Sequence, residues 1–87
     1  GDGNFHMGYL IDPDKPEERV LAEQLNTQLV ARALKLGGTC TGEHGVGLHK
    51  MEFLVTETGN GAVDMMRTIK RALDPDNILN PGKIFVL

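Results

Sequence analysis

Phe5-His6-Met7-Gly8-Tyr9-Leu10-Ile11 is the stretch on which the fold class turns. Phe5, Met7, Tyr9 and Ile11 fall on one face by period two, and His6, Gly8 and Leu10 fall on the other. This alternation predicts a strand over 5–11. A strand here makes the chain α+β, because everything downstream with clear periodicity reads as helix. Gly8 is the same-face neighbour of His6 and has no side chain, which leaves open space beside an imidazole. Upstream, Asp2-Gly3 is a turn signal and Asn4 tolerates left-handed backbone.

Downstream, Asp12-Pro13-Asp14-Lys15-Pro16 ends the strand. Asp14 is a candidate N-cap, with Pro16 and two glutamates in the first turn. A long helix is predicted over Pro16–Leu36. Leu21, Leu25, Leu29, Ala33 and Leu36 form one apolar stripe, widened by Val30 and Leu34. Gly37-Gly38 stops the helix. Thr39-Cys40-Thr41 is a candidate brief strand. It leads into the loop Gly42-Glu43-His44-Gly45-Val46-Gly47. A short helix is predicted over His49–Thr58, with Met51, Leu54 and Val55 apolar. Gly59-Asn60-Gly61 breaks it, and Asn60 is placed to cap a helix over Gly61–Leu73. The expected buried stripe of that helix is Ala62, Met66, Ile69 and Leu73, with Arg67, Lys70 and Arg71 as a solvated basic end. Asp74-Pro75 terminates it. Asn80-Pro81-Gly82 is a turn, and Ile84–Leu87 is a candidate final strand or short tail.

With 87 residues the chain makes at most one small domain. Hydrophobic residues at 40% and charged ones at 24% exclude a disordered composition. A net charge of -3 and the lack of a Lys/Arg cluster argue against nucleic acid as a partner. No apolar run approaches the ~20 residues of a membrane-spanning helix. Cys40 stands alone, excludes an internal disulfide and reads as a small buried hydrophobe. The start at Gly1, inside a turn, reads as the tail of a longer protein.

The chemistry-bearing residues each have a bland reading. His6 by itself is a packed or surface histidine, and Glu43 a solvated carboxylate. Yet Glu43 can ligate a hard or borderline cation, and His44 can move a proton near neutral pH. In a glycine-framed turn, adjacent side chains need not diverge, so the two can line one pocket. His6 and Glu43 supply only two ligands, whereas catalytic zinc-like sites take three; His49 is available as another.

Four motifs in order resemble the C-terminal end of the FAD-linked oxidases of vanillyl-alcohol oxidase type. They are Gly1-Asp2-Gly3-Asn4-Phe5-His6, Gly37 to Leu48, Met66 to Pro75, and Ile78 to Lys83. The branch they resemble is that of D-lactate dehydrogenases and glycolate oxidase catalytic subunits. The resemblance implies that residues 1–87 are the C-terminal part of the substrate or cap domain, with the FAD-binding domain absent from this chain. It implies oxidation of a small D-2-hydroxy acid to the 2-oxo acid, with hydride passed to FAD and a divalent metal, typically zinc, at the substrate hydroxyl. It makes His6 and Glu43 metal ligands, with a further histidine preceding Gly1, and His44 the general base. It places Gly45 and Asn80 at the flavin. In the hydroxyglutarate branch the residue two after the first histidine is often polar; here it is Gly8, which favours a smaller acid such as lactate or glycolate. The isolated segment is expected to be inactive and to associate with the missing domain or with itself. The expected location is cytoplasmic, peripheral to a membrane, or mitochondrial in a eukaryote. The competing reading is a small metal- or phosphate-binding module without redox chemistry.

Overall fold

A computed structural model describes residues 3–87; Gly1 and Asp2, which begin the first motif and its turn, lie outside the described residues. The chain divides into two compact units, Gly1–Gly42 and Glu43–Leu87. Three helices are present among the described residues: α1 (Pro16–Lys35), α2 (Met51–Thr58) and α3 (Asn60–Leu73).

No strand forms among the described residues, so the expected α+β class is overturned and the fold is all-helical. Residues 4–12 have no regular structure, and neither Thr39-Cys40-Thr41 nor Ile84–Leu87 pairs as a strand. The reason is that alternation fixes only which way side chains point. A strand exists only where a second strand completes its ladder. Of the apolar face expected over 5–11, Phe5, Met7 and Ile11 are exposed and Tyr9 is half-buried.

In the first unit, α1 begins as its prolines and acids require. Pro16 takes the first helical position, with Glu17 and Glu18 behind it. The residue at the N-cap is Lys15, not Asp14, and no side chain caps there. Asp12 organises the turn instead. Its Oδ1 accepts from the Asp14 amide at 3.0 Å and its carbonyl from the Lys15 amide at 3.0 Å. Glu18 Oε2 reaches back to the Asp12 amide at 2.8 Å, satisfying the chain just ahead of the helix. At the other end, Gly37 adopts φ 86, which side-chain-bearing residues resist. Gly37 then donates to the Leu34 carbonyl and Gly38 to the Ala33 carbonyl, the paired bonds of a Schellman stop.

The α1 stripe is only partly covered. Val30 is buried, and Leu29, Ala33 and Leu34 are half-buried. Leu21, Leu25 and Leu36 are exposed.

In the second unit, α2 and α3 pack together across a break at Gly59. Gly59, at φ 87, is both the C-cap of α2 and the N-cap of α3, so Asn60 is the first residue of α3 and not its cap. The core is Phe53 and Leu54 of α2 and Val63 of α3, the last with no exposed surface. The buried face of α3 is therefore rotated from the expected one. Ala62 and Met66 of the expected stripe are half-buried, but the face continues through Val63, Arg67 and Lys70 to Asp74, while Ile69 and Leu73 look outward. The rotation follows from the basic residues, whose aliphatic stems cover apolar surface while their heads find partners.

The two candidate faces make different predictions for stability. Val63→Ala removes buried methyl groups and leaves a void, at a cost of about 2 kcal/mol. Leu73→Ala, at a residue 79% exposed, is expected to change the urea midpoint little. The reverse ranking would restore the face through Ile69 and Leu73.

Candidate functional site

The second unit opens on Glu43 and His44, which lie in a turn. In extended chain their side chains would diverge. Here His44 Nε2 and Glu43 Oε1 are 3.7 Å apart. That is close enough for charge to matter and longer than an ordinary hydrogen bond. Both side chains face solvent, His44 at 83% exposure and Glu43 at 58%. Gly45 and Gly47 follow with φ of 74 and 51, a backbone course that bends the chain away after the pair. At Gly42 a side chain would require the Asn4 side chain to shift. A Cβ there would meet Asn4 Oδ1 at 2.5 Å, inside the first unit.

Of the other residues singled out from sequence, His6 belongs to the first unit, exposed on irregular chain. A Cβ added at Gly8 meets nothing within 4 Å, but with no strand over these residues Gly8 is not fixed on the same face as His6. Asn80 is exposed in the tail after α3, with left-handed backbone at φ 47. His49 is exposed in the turn before α2.

Sequence reasoning missed the group that organises this tail. Asp74, only 6% exposed, follows the last residue of α3. Its Oδ1 accepts from the Ile78 amide at 3.1 Å and its Oδ2 from the Leu79 amide at 2.9 Å. Lys70, one helical turn earlier, donates to Asp74 Oδ2 and also to the Leu79 carbonyl at 2.5 Å. The Lys70 hydrogen bond and then the Leu79 amide hold the Asp74 carboxyl below its ordinary value, at about 2, against the opposing effect of burial.

Arg67 makes the second fastening. Its Nε donates to the Val86 carbonyl at 2.6 Å, and its Nη1 to Asp64 Oδ1 at 2.7 Å. Between these points the Ile84 amide donates to the Gly47 carbonyl at 2.8 Å. The reading of Arg67 and Lys70 as a solvated basic end is therefore corrected. The i, i+4 spacing of Lys70 and Asp74 was the available signal.

The donor types fit a divalent ion. Glu43 offers an exposed carboxylate with an imidazole beside it.

The chain belongs to the family described as FAD linked oxidases, C-terminal domain, whose model matches residues 1–84. It is 52% identical over 84 residues to the mitochondrial D-lactate dehydrogenase (cytochrome) of Arabidopsis thaliana, covering 97% of this chain and 15% of that relative. It is 54% identical over 85 residues to D-lactate dehydrogenase (cytochrome) 1, mitochondrial, of Saccharomyces cerevisiae, covering 98% of this chain and 14% of that relative. The glycolate oxidase subunit GlcD of Bacillus subtilis is 44% identical over 85 residues, covering 98% of this chain and 18% of that relative. The chain thus spans less than a fifth of the length of these relatives. No helix among the described residues is long and apolar enough to cross a membrane.

The low pKa of Asp74 sets a pH window for stability. A carboxyl that titrates lower in the folded state stabilises fully above its ordinary pKa of 3.8, and that contribution is lost as pH falls through about 2. Asp74→Asn is therefore expected to lower the urea midpoint at neutral pH. The gap to the parent protein should close as pH is taken from 3.8 towards 2. A gap that stays constant over that range would remove the charge from the account.

Proposed function

We propose that the full-length protein is a flavin-dependent D-2-hydroxy-acid dehydrogenase, of D-lactate or glycolate type, and that this chain contributes its proton-handling loop. What carries the reading is the His44–Glu43 pair, 3.7 Å apart in a glycine-framed turn, in a chain matched along residues 1–84 by an FAD-linked family. The relatives named for D-lactate and glycolate favour a small acid. Gly8, at a position that is often polar in the hydroxyglutarate branch, favours the same.

In this reading His44, as neutral imidazole, accepts the hydroxyl proton of the acid. The carbon–hydrogen bond of the same carbinol breaks, and its electron pair leaves as hydride. The product is the 2-oxo acid. FAD, when bound, would supply the hydride acceptor, and a divalent ion such as zinc would make the hydroxyl a stronger acid. Glu43 and His6 are the residues of this chain that would hold the ion. Glu43 is supported by its exposed carboxylate beside His44, and His6 by the resemblance of its motif. Gly45 lets a flat ring approach the backbone after His44, and Asn80 in the tail serves the flavin in the same way. The uncovered residues Leu21 and Leu25 of α1 and Leu36 at its C-cap offer apolar area to the FAD-binding part or to a second copy.

The test uses the purified full-length protein and anaerobic bleaching of its flavin by D-lactate or glycolate. His44→Gln is expected to slow bleaching by ~10²–10⁴-fold, the usual worth of a positioned base, with FAD content unchanged. Glu43→Ala and His6→Ala are expected to lower the bound metal measured by elemental analysis. Unchanged bleaching in His44→Gln would end its role as base. A full-length protein without flavin would favour the metal- or phosphate-binding module.

A further inference from the structure

A loop with glycines at 42, 45 and 47 has little stiffness of its own, since each glycine adds backbone freedom. A base must nevertheless be held in one orientation to act. The second unit shows what holds the far end of this loop. The Gly47 carbonyl, three residues beyond His44, accepts from the Ile84 amide at 2.8 Å.

That amide is presented in an unusual way. Ile84 adopts φ 71, and the Phe85 amide donates to the Lys83 carbonyl at 2.8 Å across it. A three-residue turn of this hand is rare, and a β-branched residue at its centre is strained. Such strain persists only where neighbours over-determine the backbone. Contacts on both sides of Ile84 do so. Upstream, Leu79 is held by Lys70 and Asp74. Downstream, Val86 is held by Arg67, whose side chain is 26% exposed.

We propose that Arg67 is a positioning residue for His44: by holding the Val86 carbonyl it seats Ile84 against Gly47 and so fixes the loop that carries the base. The proposal rests on the reading of His44 as base. Arg67 touches neither substrate nor flavin in this role. Its guanidinium fork also explains the second contact, to Asp64, which steadies the side chain at the surface and carries no part of the path to the loop.

The experiment compares Arg67→Ala, Arg67→Lys and Asp64→Asn in the full-length flavoprotein, with D-lactate or glycolate as substrate. The readouts are kcat, KM, flavin content, melting temperature and rescue by guanidinium chloride at low millimolar concentration. Arg67→Ala is expected to lose kcat by about ten- to a hundred-fold, the scale of a misplaced catalytic group, with KM and flavin content unchanged. Guanidinium is expected to restore part of that loss, and Arg67→Lys to retain part of the rate. Asp64→Asn should turn over normally. The inference fails if Arg67→Ala keeps its kcat. It also fails if kcat falls only in step with flavin content and melting temperature, without rescue, in both Arg67 variants. His44→Gln run alongside separates the two claims. Full turnover there removes the base and this inference with it. Full turnover only in the Arg67 variants removes the inference and leaves the base standing.

Discussion

One carboxylate near the end of α3 holds the second unit's tail in place. Asp74 is nearly buried, and a buried charge is costly unless it is fully partnered. It is partnered by a cation on its own helix and by two amides of the chain that follows. Those bonds do more than neutralise it. They turn the chain after Pro75 back along the helix and fix where Leu79 lies. Everything from Asn80 onward starts from that point, including the turn at Ile84 that meets the glycine loop.

The fastening gives the small unit an order its apolar core alone would not. Phe53, Leu54 and Val63 hold two short helices together, yet they say nothing about the course of residues 76–87. Polar groups do that work. Lys70 and Arg67 lie on the buried side of α3 and spend their donors on main-chain carbonyls of the tail. The arrangement explains why the apolar residues Ile69 and Leu73 lie on the outer face, where a hydrophobic count alone would not put them.

How much of this could be read from residues alone depends on how local each determinant is. The bounds of α1 were legible because Pro16 and Gly37-Gly38 act within a turn of where they sit. The glycine loop and its Glu43-His44 pair were legible for the same reason, and so was membership of an FAD-linked family. The strand over 5–11 was not, because its existence depends on a partner strand that alternation cannot supply. The buried face of α3 was misread because Arg67 and Lys70 were counted as solvent-facing. The local spacing to Asp64 and Asp74 was there to be read, but the carbonyls that turn both side chains to the tail lie 19 and 9 residues away, outside any window of helical periodicity.

One mechanical spine runs from Asp74 through the tail to the loop at Gly47. Site-resolved amide hydrogen exchange reads it most directly, comparing the protein with Asp74→Asn. The account predicts that the Leu79 and Ile84 amides are protected in the parent protein and lose protection together in the variant, while Val63 stays protected. If Ile84 exchanges at the same rate in both proteins, the tail does not carry order from the helix end to the loop, and the account is wrong at its centre.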